Sequence, residues 1–285
     1  MTAQTQIPIV ASIATATPAA RAWICDIWGV LHNGVSVYPA ALDACLKFRA
    51  AGGRIVLVSN APRPFSGVIA QLDDFASPRT AYDAVLTSGD VTRDIIRDWI
   101  GIPTLHIGPE RDLGLFTERA VPRVAAPAAE RILCSGLYDD TMETPENYRD
   151  LLTGLAGRKV PMLCANPDIK VDRGGRIIYC AGAIADLYSD LGGQVAYAGK
   201  PHAAIYATAR ALIEQAAGKA VPLASTLAIG DGVLTDIPGG IQAGMPTVYI
   251  ASAIHHDGDL TPATLATLFP DLTCRPTFAM QNLAW

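Results

Sequence analysis

From Trp23 to Leu31 the chain is apolar except for one carboxylate. Trp23-Ile24-Cys25 reads as a buried strand, Asp26 stands at its end, and Gly29 and Gly34 turn the chain away. Aspartate is a poor strand former and is costly to bury, so a carboxylate at that tip needs a reason. From Tyr38 to Ala51 the apolar spacing becomes helical (Ala41, Leu42, Cys45, Leu46, Phe48) and Gly52-Gly53 stops it. Arg54 to Val58 is a β-branched run ending in Ser59-Asn60, and Pro62 and Pro64 forbid regular continuation. Strand, helix and strand make a βαβ unit with polar residues at both strand ends, and Phe65 to Asp73 predicts the next helix.

The rhythm continues. Ala84-Val85-Leu86 predicts a short strand, and Val91 to Ile100 a helix capped by Ser88 or Asp90. Further strands are expected at 104–108, 132–136 and 161–165, with helices at 145–155 and 183–191. After Val195 come Gly199-Lys200-Pro201, a helix through Ile205, Ala209 and Leu212, a strand at 225–229, a small-residue helix around Gly239-Gly240, and the strand Thr247 to Ile250. The expected fold class is α/β. A Rossmann-like parallel-sheet core over residues 1–82 and 196–285 is interrupted by an inserted α/β cap domain over 83–195.

Composition narrows the function without naming it. The 285 residues are 50% hydrophobic and 17% charged, enough for a sizeable core, and a net charge of −5 gives no reason to expect nucleic acid as partner. Six scattered cysteines show no metal-binding spacing and read as reduced buried thiols. Met1 to Ala20 lacks the basic start of a signal peptide, and no apolar run reaches membrane-spanning length. The expectation is a soluble cytoplasmic protein, with a homodimer allowed but not indicated.

Four polar groups sit at strand ends: Asp26, Ser59-Asn60, Lys200, and the pair Asp231 and Asp236. Singly, each has an ordinary explanation as a cap, a turn or a surface loop. Together they are a nucleophile or metal ligand, a hydroxyl donor, a cation and an acidic pair. In that order the sequence resembles the haloacid dehalogenase superfamily. Asp26-Ile27-Trp28-Gly29-Val30-Leu31 looks like its first motif, Val56 to Asn60 its second, Gly199-Lys200-Pro201 with Ile205-Tyr206 its third, and Gly230 to Ile237 its fourth. Val30 to Gly34, Asn166-Pro167-Asp168 and Ala243-Gly244 are similar to the class IIA members, the sugar-phosphate and pyridoxal-phosphate phosphatases, whose large cap is inserted between the second and third motifs. The resemblance spans residues 20 to 252.

The resemblance implies Asp26 as nucleophile, Ser59 on a phosphoryl oxygen and Lys200 neutralising both, with a small phosphorylated metabolite as substrate. It also implies Mg2+, held by Asp26, the Trp28 main-chain carbonyl and Asp231, and by Asp236 through water. The physical logic agrees, because a carboxylate attacks a phosphoryl group only where cations offset the repulsion of two anions. Trp28 departs from the family pattern. Its place normally holds an aspartate that protonates the leaving group and then activates water, and an indole exchanges no proton at neutral pH.

Three readings follow: a magnesium phosphatase using a good leaving group or another proton carrier such as His32; a metal-free C-halogen hydrolase, against which the intact Asp231/Asp236 pair argues; and a catalytically weak phosphometabolite-binding or regulatory protein. Substrate-reading residues are expected at Asn60, Arg63, His32, Asn166 and Asp168, with amides at the start of a helix near Cys180-Ala181-Gly182 as a further anion contact. His202 reads as an ordinary pocket wall and His255-His256 as a surface loop. No GxGxxG follows the first strand, which sets a dinucleotide oxidoreductase aside.

Overall fold

The computed structural model describes residues 6–173, 176–251 and 258–285. His255 and His256 lie outside the described residues. The elements in chain order are α1 (Ile13–Ala16), β1 (Ala22–Asp26), α2 (Pro39–Ala50), β2 (Arg54–Ser59), α3 (Phe65–Asp74), β3 (Ala84–Thr87), α4 (Ser88–Ile95), β4 (Thr104–Ile107), β5 (Arg131–Cys134) and α5 (Arg149–Gly157). They continue with β6 (Met162–Cys164), β7 (Lys170–Arg173), β8 (Arg176–Tyr179), α6 (Ala181–Asp190), β9 (Val195–Tyr197), α7 (Ala203–Ala217), β10 (Thr226–Gly230), α8 (Asp236–Gln242), β11 (Thr247–Ile250), α9 (Pro262–Leu268) and β12 (Phe278–Met280). The chain divides into two compact units, one of residues 1–59, 69–86 and 206–285, the other of 60–68 and 87–205.

The first unit carries a six-stranded sheet in the order β12-β11-β10-β1-β2-β3. β1 pairs in parallel with β2 on one side and β10 on the other, and every residue of β1 and β10 is buried. Strands buried on both faces of a parallel sheet read as continuous apolar runs, as these do. The chain leaves β1 toward β2 and β3 on one flank, while β10, β11 and β12 build the other, so the order reverses beside β1. In open α/β sheets that switch point, at the carboxyl ends of the strands, is where ligands bind. Around it the core is aromatic. Trp23 stacks on Phe48 with ring centroids 4.0 Å apart. Gly53 has no Cβ because one there would run into the Phe48 ring.

The second unit has its own four-stranded parallel sheet, β4-β5-β6-β9, and an antiparallel β7-β8 hairpin. Its core joins Ile107, Ile132, Leu137, Leu152, Ile184 and Tyr188 with their neighbours. The α/β class and the parallel core agree with the sequence pattern, but several details differ. The helix expected at 91–100 begins at Ser88 with Thr87 as its N-cap. The Thr87 hydroxyl accepts the Asp90 N–H, and the Asp90 carboxylate takes the Thr87 N–H in return. The β7-β8 hairpin and the short 3-10 turn at Glu110–Phe116 carry no periodic signal long enough to predict. Among the described residues no two cysteines are bridged and five of the six are buried. No described helix is long and apolar enough to cross a membrane.

Candidate active site

In the first unit the sheet itself brings the carboxylates together. Cys25 is paired with Ile229, so Asp26 ends β1 level with Gly230, and Asp231 follows at the same edge. Asp236 opens α8 and its carboxylate accepts the Gly232 N–H at 3.1 Å. Two glycines make this possible. A Cβ on Gly230 would occupy the place of the Asp236 carboxyl group, and one on Gly29 that of the Asp231 carboxylate. Gly29 also has a φ of +82°, which costs glycine little and strains other residues. Oxygen atoms of Asp26, Asp231 and Asp236 lie within 4.8 Å of one another, and each residue is only 5–6% exposed.

Three buried carboxylates at that spacing hold their charge only where positive charge offsets it. An all-oxygen set of this kind suits a hard divalent cation such as Mg2+, which keeps several waters and takes few protein ligands. The residues present therefore fit the ion. The negative field is felt by nearby phenols. Burial first and the Asp231 carboxylate second push the Tyr249 hydroxyl up to about 12, and Tyr38 is raised by the same two causes. Ser59 ends β2, one position beyond the Asp26–Val58 pair, so the strand register brings this residue to the same edge.

Trp28 and His32 are packed against each other. The Gly29 N–H donates to the His32 carbonyl oxygen at 2.8 Å, which closes a tight turn after β1. The indole covers Gly34, where a Cβ would run into the ring, and meets the His32 ring edge-on at 5.3 Å. His32 is buried, its other side faces Phe75 at 5.1 Å, and its Nδ1 accepts the Gly34 N–H at 3.0 Å. A ring so enclosed, with Nδ1 bonded to a main-chain amide, is a wall of the loop, and the geometry gives no support to substrate contact through Nδ1.

The second unit holds the remaining predicted residues. Asn60, Asn166, Asp168 and Lys200 form one connected group, in which Asn60 bonds the Lys200 main chain and the Asp168 carboxylate. Arg63 is exposed, its carbonyl oxygen accepts the Thr87 hydroxyl at 2.6 Å, and its charge acts on Asp112. His202 lies flat on Tyr197 with centroids 4.4 Å apart, and burial holds its imidazole below the usual range. The helix start near Cys180 corrects an expectation. The Gly182 N–H already donates to the Asp168 carbonyl oxygen at 3.1 Å, and a Cβ on Gly182 would meet the Pro167 carbonyl, so that amide is taken by protein.

A partly buried cluster at the carboxyl ends of β4 and β5 carries no signal in the sequence pattern. Ser135 Oγ lies 2.9 Å from His106 Nε2 and also bonds the Asp112 carboxyl group. Burial, with Arg123 adding to it, lowers the His106 imidazole to about 4, and burial raises Asp112 to about 6 against the pull of Ser135 and Arg111. These residues stand far apart in sequence and share no motif, so only the parallel register reveals them.

Known proteins resemble the chain in its N-terminal and C-terminal parts and along nearly its whole length. The haloacid dehalogenase-like hydrolase family matches residues 23–118, and the HAD-hydrolase-like family matches 197–283. A haloacid dehalogenase-like family hydrolase from Brucella suis 1330 is 42% identical over 96% of this chain and all of its own, with a TM-score of 0.86. A p-nitrophenyl phosphatase from Archaeoglobus fulgidus shares the fold at 21% identity, covering 92% of this chain and 96% of its own, with a TM-score of 0.72. A glycerol phosphate phosphatase from Mycobacterium tuberculosis in complex with magnesium does so at 20%, covering 95% and 77%, with a TM-score of 0.69. No curated protein sequence matches the chain. With its acidic edge formed where the strand order reverses, and a relative this similar over its whole length, the chain belongs to the haloacid dehalogenase-like hydrolases.

Proposed function

We propose that the protein is a magnesium-dependent phosphohydrolase acting on a small phosphorylated metabolite through an aspartyl-phosphate at Asp26. The observation that carries the reading is the buried Asp26/Asp231/Asp236 set at the switch point of a parallel sheet. Asp26 attacks phosphorus in line, the bond to the leaving oxygen breaks, and water later returns the carboxylate and releases phosphate. Ser59 donates to a phosphoryl oxygen, and the Lys200 ammonium offsets the charge gathering on the other oxygens. Asp26, Asp231 and the Trp28 carbonyl would hold Mg2+ directly and Asp236 through water, and the bound ion supplies charge neutralisation. In this reading residues 1–82 and 196–285 are the catalytic core, 83–195 are the cap that selects the substrate, and the protein acts in the cytoplasm. Names carried by relatives of the same fold, a glycerol phosphate phosphatase with magnesium among them, support both the substrate class and the ion.

Trp28 favours leaving groups that need no proton, and it keeps a second reading in view, a weak enzyme that mainly binds its phosphometabolite. An assay over a panel of sugar, alkyl and aryl phosphates, with and without chelator, separates the two. Metal-dependent release of phosphate that disappears in Asp26→Asn supports the enzyme. Metabolite binding without turnover supports the second reading, and metal-free turnover of haloacids overturns both.

A further inference from the structure

Asn60, Asn166 and Asp168 have the chemistry of substrate-reading groups, yet in the structure they are bonded to Lys200 and to one another. Asn60 is buried. Its Oδ1 accepts the Lys200 N–H at 2.8 Å, and its Nδ2 donates to the Lys200 carbonyl oxygen at 3.2 Å and to Asp168 Oδ1 at 2.9 Å. A side-chain amide has two N–H donors, and both are used here. The loop bearing Asp168 is held in turn. Asn166 Oδ1 accepts the Asp168 N–H at 3.0 Å, and the Asp168 carbonyl takes the Gly182 N–H that opens α6. Gly199 completes the fit, because a Cβ there would run into Asn60 Oδ1 and crowd Pro167 and Ser88. Gripping the N–H and the C=O of one residue fixes its main chain on both sides, and with it the origin of its side chain. Lys200 is 4% exposed.

We propose that Asn60 is a positioning residue: with Asp168 it locks the main chain of Lys200 so that the ammonium is presented in a single orientation, and neither Asn60 nor Asp168 contacts the phosphorylated substrate. The inference rests on the role given to Lys200 above. It turns two expected specificity residues into supports for the catalytic cation.

The test is an exchange of donor and acceptor. Asn60→Asp sets a carboxylate against Asp168 and removes the bond to the Lys200 carbonyl. Asp168→Asn alone is mild, because its remaining carbonyl oxygen still accepts from Asn60. The double variant Asn60→Asp/Asp168→Asn restores the bridge to residue 168 with its direction reversed and keeps the bond to the Lys200 N–H, while the bond to the Lys200 carbonyl stays lost. Misplacing a catalytic group by about 1 Å costs on the order of 10²-fold, so Asn60→Asp is expected to lower kcat by about 10- to 100-fold with KM little changed, and the double variant to recover the part of that loss that the bridge to residue 168 carries. Amide hydrogen exchange in the Lys200 peptide is read on the same proteins, faster in Asn60→Asp and slowed again in the double variant.

A raised KM with no recovery would mean that Asn60 meets substrate, and overturns the proposal. Restored exchange with kcat of the folded protein unchanged throughout would make the network merely structural, and overturns it too. If the wild-type chain turns over no phosphate ester but exchange couples as expected, the lock on Lys200 stands and the phosphatase reading fails. If turnover is normal and neither readout couples, the phosphatase reading stands and the lock fails.

Discussion

An indole has one N–H to donate and no proton to exchange near neutral pH. At Trp28 that property has a structural counterpart, because the ring is packed on Gly34 and against the edge of His32, whose Nδ1 is taken by a main-chain amide. His32, the one imidazole in the loop after Asp26, is thus packed into the wall of that loop together with the indole. General acid–base catalysis contributes about 10²–10⁴-fold, so Trp28→Asp is expected to raise turnover of alkyl phosphates by ~10²-fold or more while changing aryl phosphates much less. Steady-state rates on a matched alkyl and aryl pair check this, and an equal change on both would show that leaving-group protonation is not what Trp28 lacks. Losing the ring should also lower stability by about 2 kcal/mol, visible in the unfolding midpoint. At Gly29, by contrast, the backbone matters. Gly29→Ala must adopt a φ of +82° with a methyl pressed on Asp231, and a loss of about 1–3 kcal/mol is expected from denaturant unfolding.

Strands and their ends show what could be read in the sequence and what could not. β1, β2 and β10 are apolar runs that end in an aspartate, a serine and a glycine, so their existence and the place of Asp26, Ser59 and Asp231 at one edge were legible. That Asn60 bonds Lys200, 140 residues away, was not, because no local pattern encodes a partner so distant. Short elements such as β7 and the turn at Glu110–Phe116 lack the repeats that periodicity needs.

The cluster beyond β4 and β5 gives a prediction at this scale. The folded chain holds Asp112 at about 6, above its ordinary 3.8, so its contribution to stability is present at low pH and is lost as pH rises from about 4 to about 6. His106 is held at about 4, below its ordinary 6.5, so in the same window the unfolded chain binds the extra proton and stability rises with pH. The two slopes oppose each other in the native protein. Relative to wild type, Asp112→Asn should therefore gain stability as pH rises from 4 to 6 and His106→Gln should lose it, each by about 1–3 kcal/mol over the window. Unfolding midpoints measured against pH check the signs, and slopes of the same sign in both variants would refute the assignment.

At the scale of the whole molecule, the fold class and the family agree with one another and with a relative matched over its whole length. A ligand that binds only the folded chain stabilises it by mass action, about 2.7 kcal/mol at a hundred times its Kd. Magnesium should thus raise the unfolding midpoint of the wild-type protein, and Asp231→Asn should abolish that rise. Among the proposed steps, the attack by Asp26 on phosphorus is the one on which the others depend. It is tested most directly by mixing the protein with an aryl phosphate and magnesium, quenching in acid within the first turnover, and mapping phosphorylated peptides by mass spectrometry. A phosphoryl group is expected on Asp26, absent with chelator and absent in Asp26→Asn. Release of phosphate with Asp26 unmodified, or continued release by Asp26→Asn, would contradict it.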